Sequence, residues 1–217
     1  MITALLTTLI AQQGVGGIIF IEDFDGDKLK PYWYISQNHN EPPYNGKMEY
    51  KVEDGLFKVL KVWGPMNDGN ITRLYTNVFE RKLPYHIRDF DISVLFGWEK
   101  GQYHGIRMII NDLYPIVYAG YSNSPFYGEP SLISIFYFWG GGILIIPGPD
   151  SGFHELRAIR RGKNITLLFD GVYFDQHDFP YDFIEVRSLS FHFIGPKNYN
   201  DPQFAPLYID KIVVRKL

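Results

Sequence analysis

Two periodicities divide the chain. In residues 1–13, Ile2, Leu5, Leu6, Leu9 and Ile10 fall at i, i+3, i+4, i+7 and i+8, with Thr3, Thr7 and Gln12 opposite, and this spacing predicts a short amphipathic helix. At about 11 residues it is well short of the roughly 20 that cross a bilayer, so a membrane span is excluded there. No Lys or Arg precedes the stripe and Leu9-Ile10-Ala11 is a poor cleavage site, which disfavours a signal peptide and leaves the segment as a retained element. Gly14-Val15-Gly16-Gly17 then reads as a flexible joint, making residues 1–17 a helix with a hinge and 18–217 one domain. A lone helix of this length is marginal in water, so its stripe needs a partner surface. That surface is its own domain, a second copy in a homo-oligomer, or an anchor.

From Ile18 onward the period is two. Short apolar or alternating runs cover Ile18–Glu22, Tyr32–Ser36, Lys47–Val52, Leu56–Trp63, Ile71–Val78, Phe90–Trp98 and Ile106–Ile110. They continue through Tyr114–Tyr121, Leu132–Phe138, Ile143–Ile146, Glu155–Arg160, Ile165–Phe169, Ser188–Ile194 and Leu207–Arg215. Turn chemistry separates them at Asp25-Gly26, Asn45-Gly46, Asp54-Gly55, Asp68-Gly69, Gly140-Gly141-Gly142 and Asp170-Gly171. The clearest alternation sets Phe90, Ile92, Val94, Phe96 and Trp98 against Asp89, Asp91, Ser93 and Gly97, the pattern of a half-buried antiparallel strand. Strands without intervening helical periods exclude alternating βαβ units, and no fixed repeat marks a propeller or solenoid. The fold class is therefore all-β, a two-sheet antiparallel sandwich with a short N-terminal amphipathic helix.

Composition narrows the function. With 46% hydrophobic and 21% charged residues the chain folds rather than staying disordered. Lys plus Arg is 21 against 24 Asp plus Glu, so no basic surplus exists to bind nucleic acid. The absence of cysteine excludes disulfides, thiolate metal sites and a cysteine nucleophile. Aromatic residues make up 17%, which favours strands and supplies many stacking surfaces.

Four segments carry a family resemblance. Phe20-Ile-Glu-Asp-Phe-Asp-Gly-Asp followed by Trp33 resembles the opening strand of concanavalin A-like lectin/glucanase domains, including laminin G-like modules. Val52-Glu-Asp-Gly-Leu-Phe-Lys-Val resembles the hairpin that follows, and Phe153 to Gly171 is similar to the family's paired strands ending in Asp-Gly. Leu207-Tyr-Ile-Asp-Lys-Ile-Val-Val resembles the closing strand. The resemblance implies a jelly-roll sandwich over residues 18–217, a fold that hosts lectins, hydrolases, lyases and structural modules.

Glucanases of this superfamily carry E-x-D-x-x-E on one strand, placing carboxylates as nucleophile and general acid, and this sequence lacks it. Asp89 and Asp91 are the nearest strand pair, and Asp175, His177 and Asp178 form a polar cluster read as a loop; a solvated surface accounts for both. No zinc, phosphate-loop or serine-hydrolase spacing occurs. By resemblance, Asp23, Asp210 and the backbone near Gly46 are the expected Ca²⁺ ligands joining the opening and closing strands. Arg107, Tyr118, Tyr137 and Trp139 are the candidate sugar-binding residues, on mid-chain strands that supply the concave sheet in the family. Asn70-Ile-Thr and Asn164-Ile-Thr are glycosylation sequons, usable on export.

The missing triplet makes the first expectation a non-catalytic, lectin-like glycan-binding or adhesive domain, located outside the cell, on a cell surface or on a virion. A structural subunit of a virion, filament or surface layer, assembling through residues 1–17, is the second. An atypical glycoside hydrolase or polysaccharide lyase is the third.

Overall fold

The structure is a computed structural model and describes residues 17–26, 28, 30–36, 49–54, 58–63, 77–98, 104–109, 116–123, 131–137, 142–149, 151–178, 186–194 and 207–217. Among the described residues there are strands and turns and no helix. The expected helix at residues 1–13 and its homo-oligomer contact lie outside them, as do Gly46, Asn70 and Trp139.

One sheet contains β1 (Ile18–Glu22), β3 (Glu49–Asp54), β4 (Lys58–Trp63), β6 (Phe90–Trp98), β11 (Gly152–Arg161), β12 (Asn164–Phe169), β13 (Val172–Asp178) and β15 (Leu207–Lys216). Its order is β13-β12-β11-β6-β15-β4-β3, with β1 also paired to β15. The other contains β2 (Tyr34–Ser36), β5 (Asn77–Ile87), β7 (His104–Ile109), β8 (Ile116–Asn123), β9 (Ser131–Tyr137), β10 (Ile143–Pro147) and β14 (Val186–Ile194). It runs β10-β9-β8-β7-β14-β5-β2. Every pairing is antiparallel.

The core lies between the sheets because the period-2 pattern gives each an apolar inner face. Phe90, Ile92, Val94 and Phe96 on β6 are fully buried, and they join Leu156, Ala158, Ile165, Leu167, Ile212 and Val214 from the same sheet. Met108, Leu132 and Leu189 meet them from the seven-stranded sheet. Each such large side chain contributes roughly 1.5–3 kcal/mol by leaving water.

β6 is not half-buried as its alternation predicts. Asp91, Ser93 and Gly97 on its polar face are buried too. The strand runs centrally between β11 and β15, and long neighbours close over it. Arg157 and Arg215 reach Asp91, and the Phe153 ring lies on Gly97, where an added Cβ would fall 2.7 Å from Phe153 Cγ.

Asp175, His177 and Asp178 belong to β13 rather than to a loop. The Asp170-Gly171 turn explains it: both residues have positive φ (51° and 75°), the requirement of a tight hairpin turn that returns the chain antiparallel to β12. β5 runs on to Ile87 although it contains Pro84, which has no N–H to donate. The β14–β5 register jumps between Val186↔Ile87 and Ser188↔Lys82, so the proline falls in the stretch left out of the ladder.

Candidate functional site

The outward face of the seven-stranded sheet gathers three of the four residues expected to bind sugar. Arg107 on β7 pairs with Gly120 on β8. Tyr118 lies two residues from Gly120, on the same face, and pairs with Ile135 on β9. Tyr137 is two further along β9, opposite Ile116. Met108, one residue from Arg107, is fully buried in the core, so the alternating positions 107, 118 and 137 occupy the other side of the sheet. On that side Ile143 and Ile145 of the edge strand β10 are 63% and 45% exposed, whereas Ile133, opposite Ile145, and Gly120, opposite Arg107, are buried, so the middle of this face is covered.

Register also brings in two residues that sequence reasoning missed. His192 on β14 pairs directly with Arg107, and Ser190, two residues away, pairs with Glu80 on β5. Glu80, Arg107, His192, Tyr118 and Tyr137 therefore share one face across five strands of the sheet, β5, β14, β7, β8 and β9. Strand spacing puts the backbones of positions 107 and 192 about 5 Å apart and those of 80 and 192 roughly 8 Å apart. The missed signal was present in Ser188-Leu-Ser-Phe-His-Phe, where Ser188, Ser190 and His192 alternate with Leu189, Phe191 and Phe193.

The opening strand builds a different, closed cluster. Glu22 is fully buried, yet it accepts from Tyr32 Oη (2.6 Å), Trp33 Nε1 (2.8 Å), the Phe24 backbone N–H (3.0 Å) and Lys30 Nζ (3.0 Å). Burial alone would push this carboxyl up, but the hydrogen bonds together hold it below the ordinary carboxylate range. Lys30 also lies 3.1 Å from Asp25 and 3.7 Å from Asp23. Of the other expected calcium residues, Asp210, half-buried on β15, is pushed up by burial and by the negative Asp23, against the opposing pull of Lys211. Among the described residues no group of three or more His, Cys, Asp or Glu is placed to hold a metal ion.

The remaining polar clusters are structural. Asp91 takes a bidentate pair from Arg157, Nε at 2.7 Å and Nη2 at 2.5 Å, and Arg215 approaches to 3.6 Å. Asp89 accepts the Gly162 N–H at 2.8 Å, and its carbonyl accepts from Leu217. Neither faces an open cleft as a catalytic pair. Ser134 and Asp175 both converge on Nε2 of His177, at 2.9 and 2.8 Å. A nucleophile relay needs the hydroxyl and the carboxylate on opposite ring nitrogens, so this is a strut between the sheets. Asn164, within one of the sequons, donates to Asp178 at 2.9 Å.

Comparison with solved structures defines the class: the sandwich is a concanavalin A-like jelly roll, as the sequence resemblance implies. The similarities are to glycan-cleaving enzymes in particular. SCLam, a non-specific endo-β-1,3(4)-glucanase of glycoside hydrolase family 16, superimposes with a TM-score of 0.65 at 11% identity, covering 95% of this chain and 93% of that one. A family 16 enzyme from the mixed-linkage glucan locus of Bacteroides ovatus gives 0.64 at 13%, over 91% and 100%. A structure from a study of gut-microbial endo-acting O-glycanases that initiate mucin breakdown gives 0.66 at 14%, over 93% and 100%. No protein-family model matches this chain, and no curated protein does.

These likenesses correct the expectation of a non-catalytic lectin-like domain. The solved proteins named above are glycan-cleaving enzymes that share the sandwich nearly end to end, which favours the hydrolase alternative over the lectin reading. Among the described residues no helix is long and apolar enough to cross a membrane.

Proposed function

We propose that the chain is an atypical endo-acting glycoside hydrolase working on the outward face of the seven-stranded sheet. The observation that carries this reading is the register that brings Glu80, Arg107, His192, Tyr118 and Tyr137 onto one face. Likeness to endo-glycanases over more than nine-tenths of the chain supports it. Glu80 and His192 act as the acid/base pair, since two groups of different intrinsic acidity supply a proton donor and an acceptor near neutral pH. Arg107 positions the substrate by hydrogen bonds to its oxygens, and Tyr118 and Tyr137 stack on sugar rings at neighbouring subsites. A polymeric glycan substrate goes with action outside the cell or at its surface.

The test is the release of new reducing ends from β-1,3-glucan, mixed-linkage glucan and galactan polymers. Glu80→Gln and His192→Gln are each expected to lower kcat by about 10²–10⁴ while the fold is retained. Arg107→Met is expected to raise KM more than it lowers kcat. Absence of cleavage across the panel, or a Glu80→Gln variant at full rate, overturns the assignment.

Calcium at Asp23 and Asp210 is a separate proposal, supported by the repulsion between exposed Asp23 and half-buried Asp210 that a cation would relieve. Bound only by the folded state, Ca²⁺ would raise Tm with concentration, and Asp210→Ala would remove the effect. A metal-stripped protein whose melt is unchanged on reloading leaves Lys30 as the cation of this corner.

A further inference from the structure

One imidazole in the sandwich is set between two acceptors. His154 on β11 holds Nδ1 2.6 Å from Asp170 Oδ2 and Nε2 3.2 Å from the Ser151 carbonyl oxygen. A carboxylate and a carbonyl accept and do not donate, so each ring nitrogen supplies the hydrogen of its own bond, which is the imidazolium form. The surroundings suit that charge. The rings of Trp98 on β6 and Phe169 on β12 each lie 5.1 Å from that of His154, at 35° and 23°, within range of a cation–π contact. Gly152 makes room for the second bond: its φ is 123°, a backbone that other residues rarely take, and a Cβ there would fall 3.0 Å from His154 Nε2. The charged group facing the ring is Asp170. Glu155, next to His154 on β11, falls on the opposite face of the sheet, since His154 shares its face with the buried Leu156.

We propose that His154 and Asp170 form a proton-held clasp that fastens the β12–β13 turn to the start of β11 and loosens as pH rises. The acid is not what the turn itself requires. Asp170 has a φ of 51°, and asparagine serves that turn position as well as aspartate. An asparagine oxygen would also accept the Glu155 N–H that Asp170 Oδ1 takes at 2.8 Å. What the carboxylate adds is an acceptor for His154, and with it the extra proton. An unfolded histidine releases its proton above about pH 6.5, whereas the clasped ring keeps it or forfeits a hydrogen bond. The folded chain then binds more protons than the unfolded one, so the clasp stabilises in acid and fades toward alkaline pH. The clasp stands independently of the hydrolase reading.

Nitrogen NMR of the full chain, labelled in its histidines, reads the ring directly, with His154→Gln used to assign the signal. At neutral pH both ring nitrogens of His154 are expected to carry hydrogen. Asp170→Asn keeps a residue that tolerates the left-handed turn and offers Nδ1 a donor in place of an acceptor, so in that variant Nδ1 is expected to be bare. Melting temperature gives a second readout. The advantage of the wild type over Asp170→Asn is expected to shrink by at least half from mildly acid to mildly alkaline pH. A His154 ring with one bare nitrogen in the neutral wild type, or an advantage that holds or grows as pH rises, overturns the proposal.

Discussion

Replacing Glu22 by Gln keeps the shape of the side chain and removes its charge, which isolates what the buried carboxylate contributes. Two donors meet each of its oxygens: the Phe24 N–H and Lys30 Nζ at Oε1, and Tyr32 Oη and Trp33 Nε1 at Oε2. Whichever way the glutamine amide is turned, its NH₂ faces two donors that have lost their acceptor. Trp33 and Phe24 are buried, so turning toward the indole side or the backbone side strands at least one donor away from water. An unsatisfied buried donor costs about 1–3 kcal/mol, and removing one partner of a buried charge cluster costs about 3–5 kcal/mol. Lys30 is about one-third exposed (32%) and re-solvates, so the lower end applies. A loss of roughly 3 kcal/mol lowers Tm by about 6–12 °C for a chain of this size. The pH dependence adds a sign. Glu22 is held below its unfolded value, so its stabilisation is present above the ordinary Glu range and is lost as pH falls through the lowered folded value. The Glu22→Gln variant lacks that titration, and the gap between the two melts should narrow toward acid. Calorimetric melts from neutral to acid pH measure both effects. A variant melting within a degree of wild type at neutral pH, or a gap that widens on acidification, refutes the reasoning.

Two further outcomes follow from the eight-stranded sheet. Asp91→Ala leaves the Arg157 guanidinium, now held above its usual range by that carboxylate, without its partner and should cost about 3–5 kcal/mol; chemical denaturation of the Asp91→Ala/Arg157→Met double variant should recover part of it. Gly97→Ala places a methyl 2.7 Å from Phe153 Cγ and 2.8 Å from the Gly152 carbonyl oxygen, so about 1–3 kcal/mol is lost, and Phe153→Ala in the same chain should restore only the side-chain share because the backbone oxygen remains.

The order of strands was largely legible because a period of two and Asp-Gly turns are local signals. Asp170-Gly171 shows the limit of that reading. The turn is recognisable in sequence, but the polar strand it launches reads as a loop, since Asp175, Gln176, His177 and Asp178 lack the apolar alternation that marks a buried strand. β6 shows another limit: its polar positions looked solvated because the arginine and phenylalanine that cover them come from β11 and β15, more than fifty residues away. The proposed catalytic face is half legible for the same reason. Arg107, Tyr118 and Tyr137 stand out along the chain, whereas Glu80 and His192 become their neighbours only through the β14 register. A pairing between distant strands leaves no mark on local sequence.

β15 sits between β6 on one side and β4 and β1 on the other. During synthesis this interior strand leaves the ribosome after every other strand of its sheet, so until then β6, β11, β12 and β13 can associate while β1 and the β3–β4 hairpin have nothing to join them to that group. The nascent sandwich therefore waits with the flank of β6 unpaired and its core open along a central seam. Closure only once β15 has emerged, over sequence separations approaching the whole domain, makes folding slow by topology. A ribosome-stalled chain ending before Leu207 should accordingly bind holdase chaperones that the complete chain escapes.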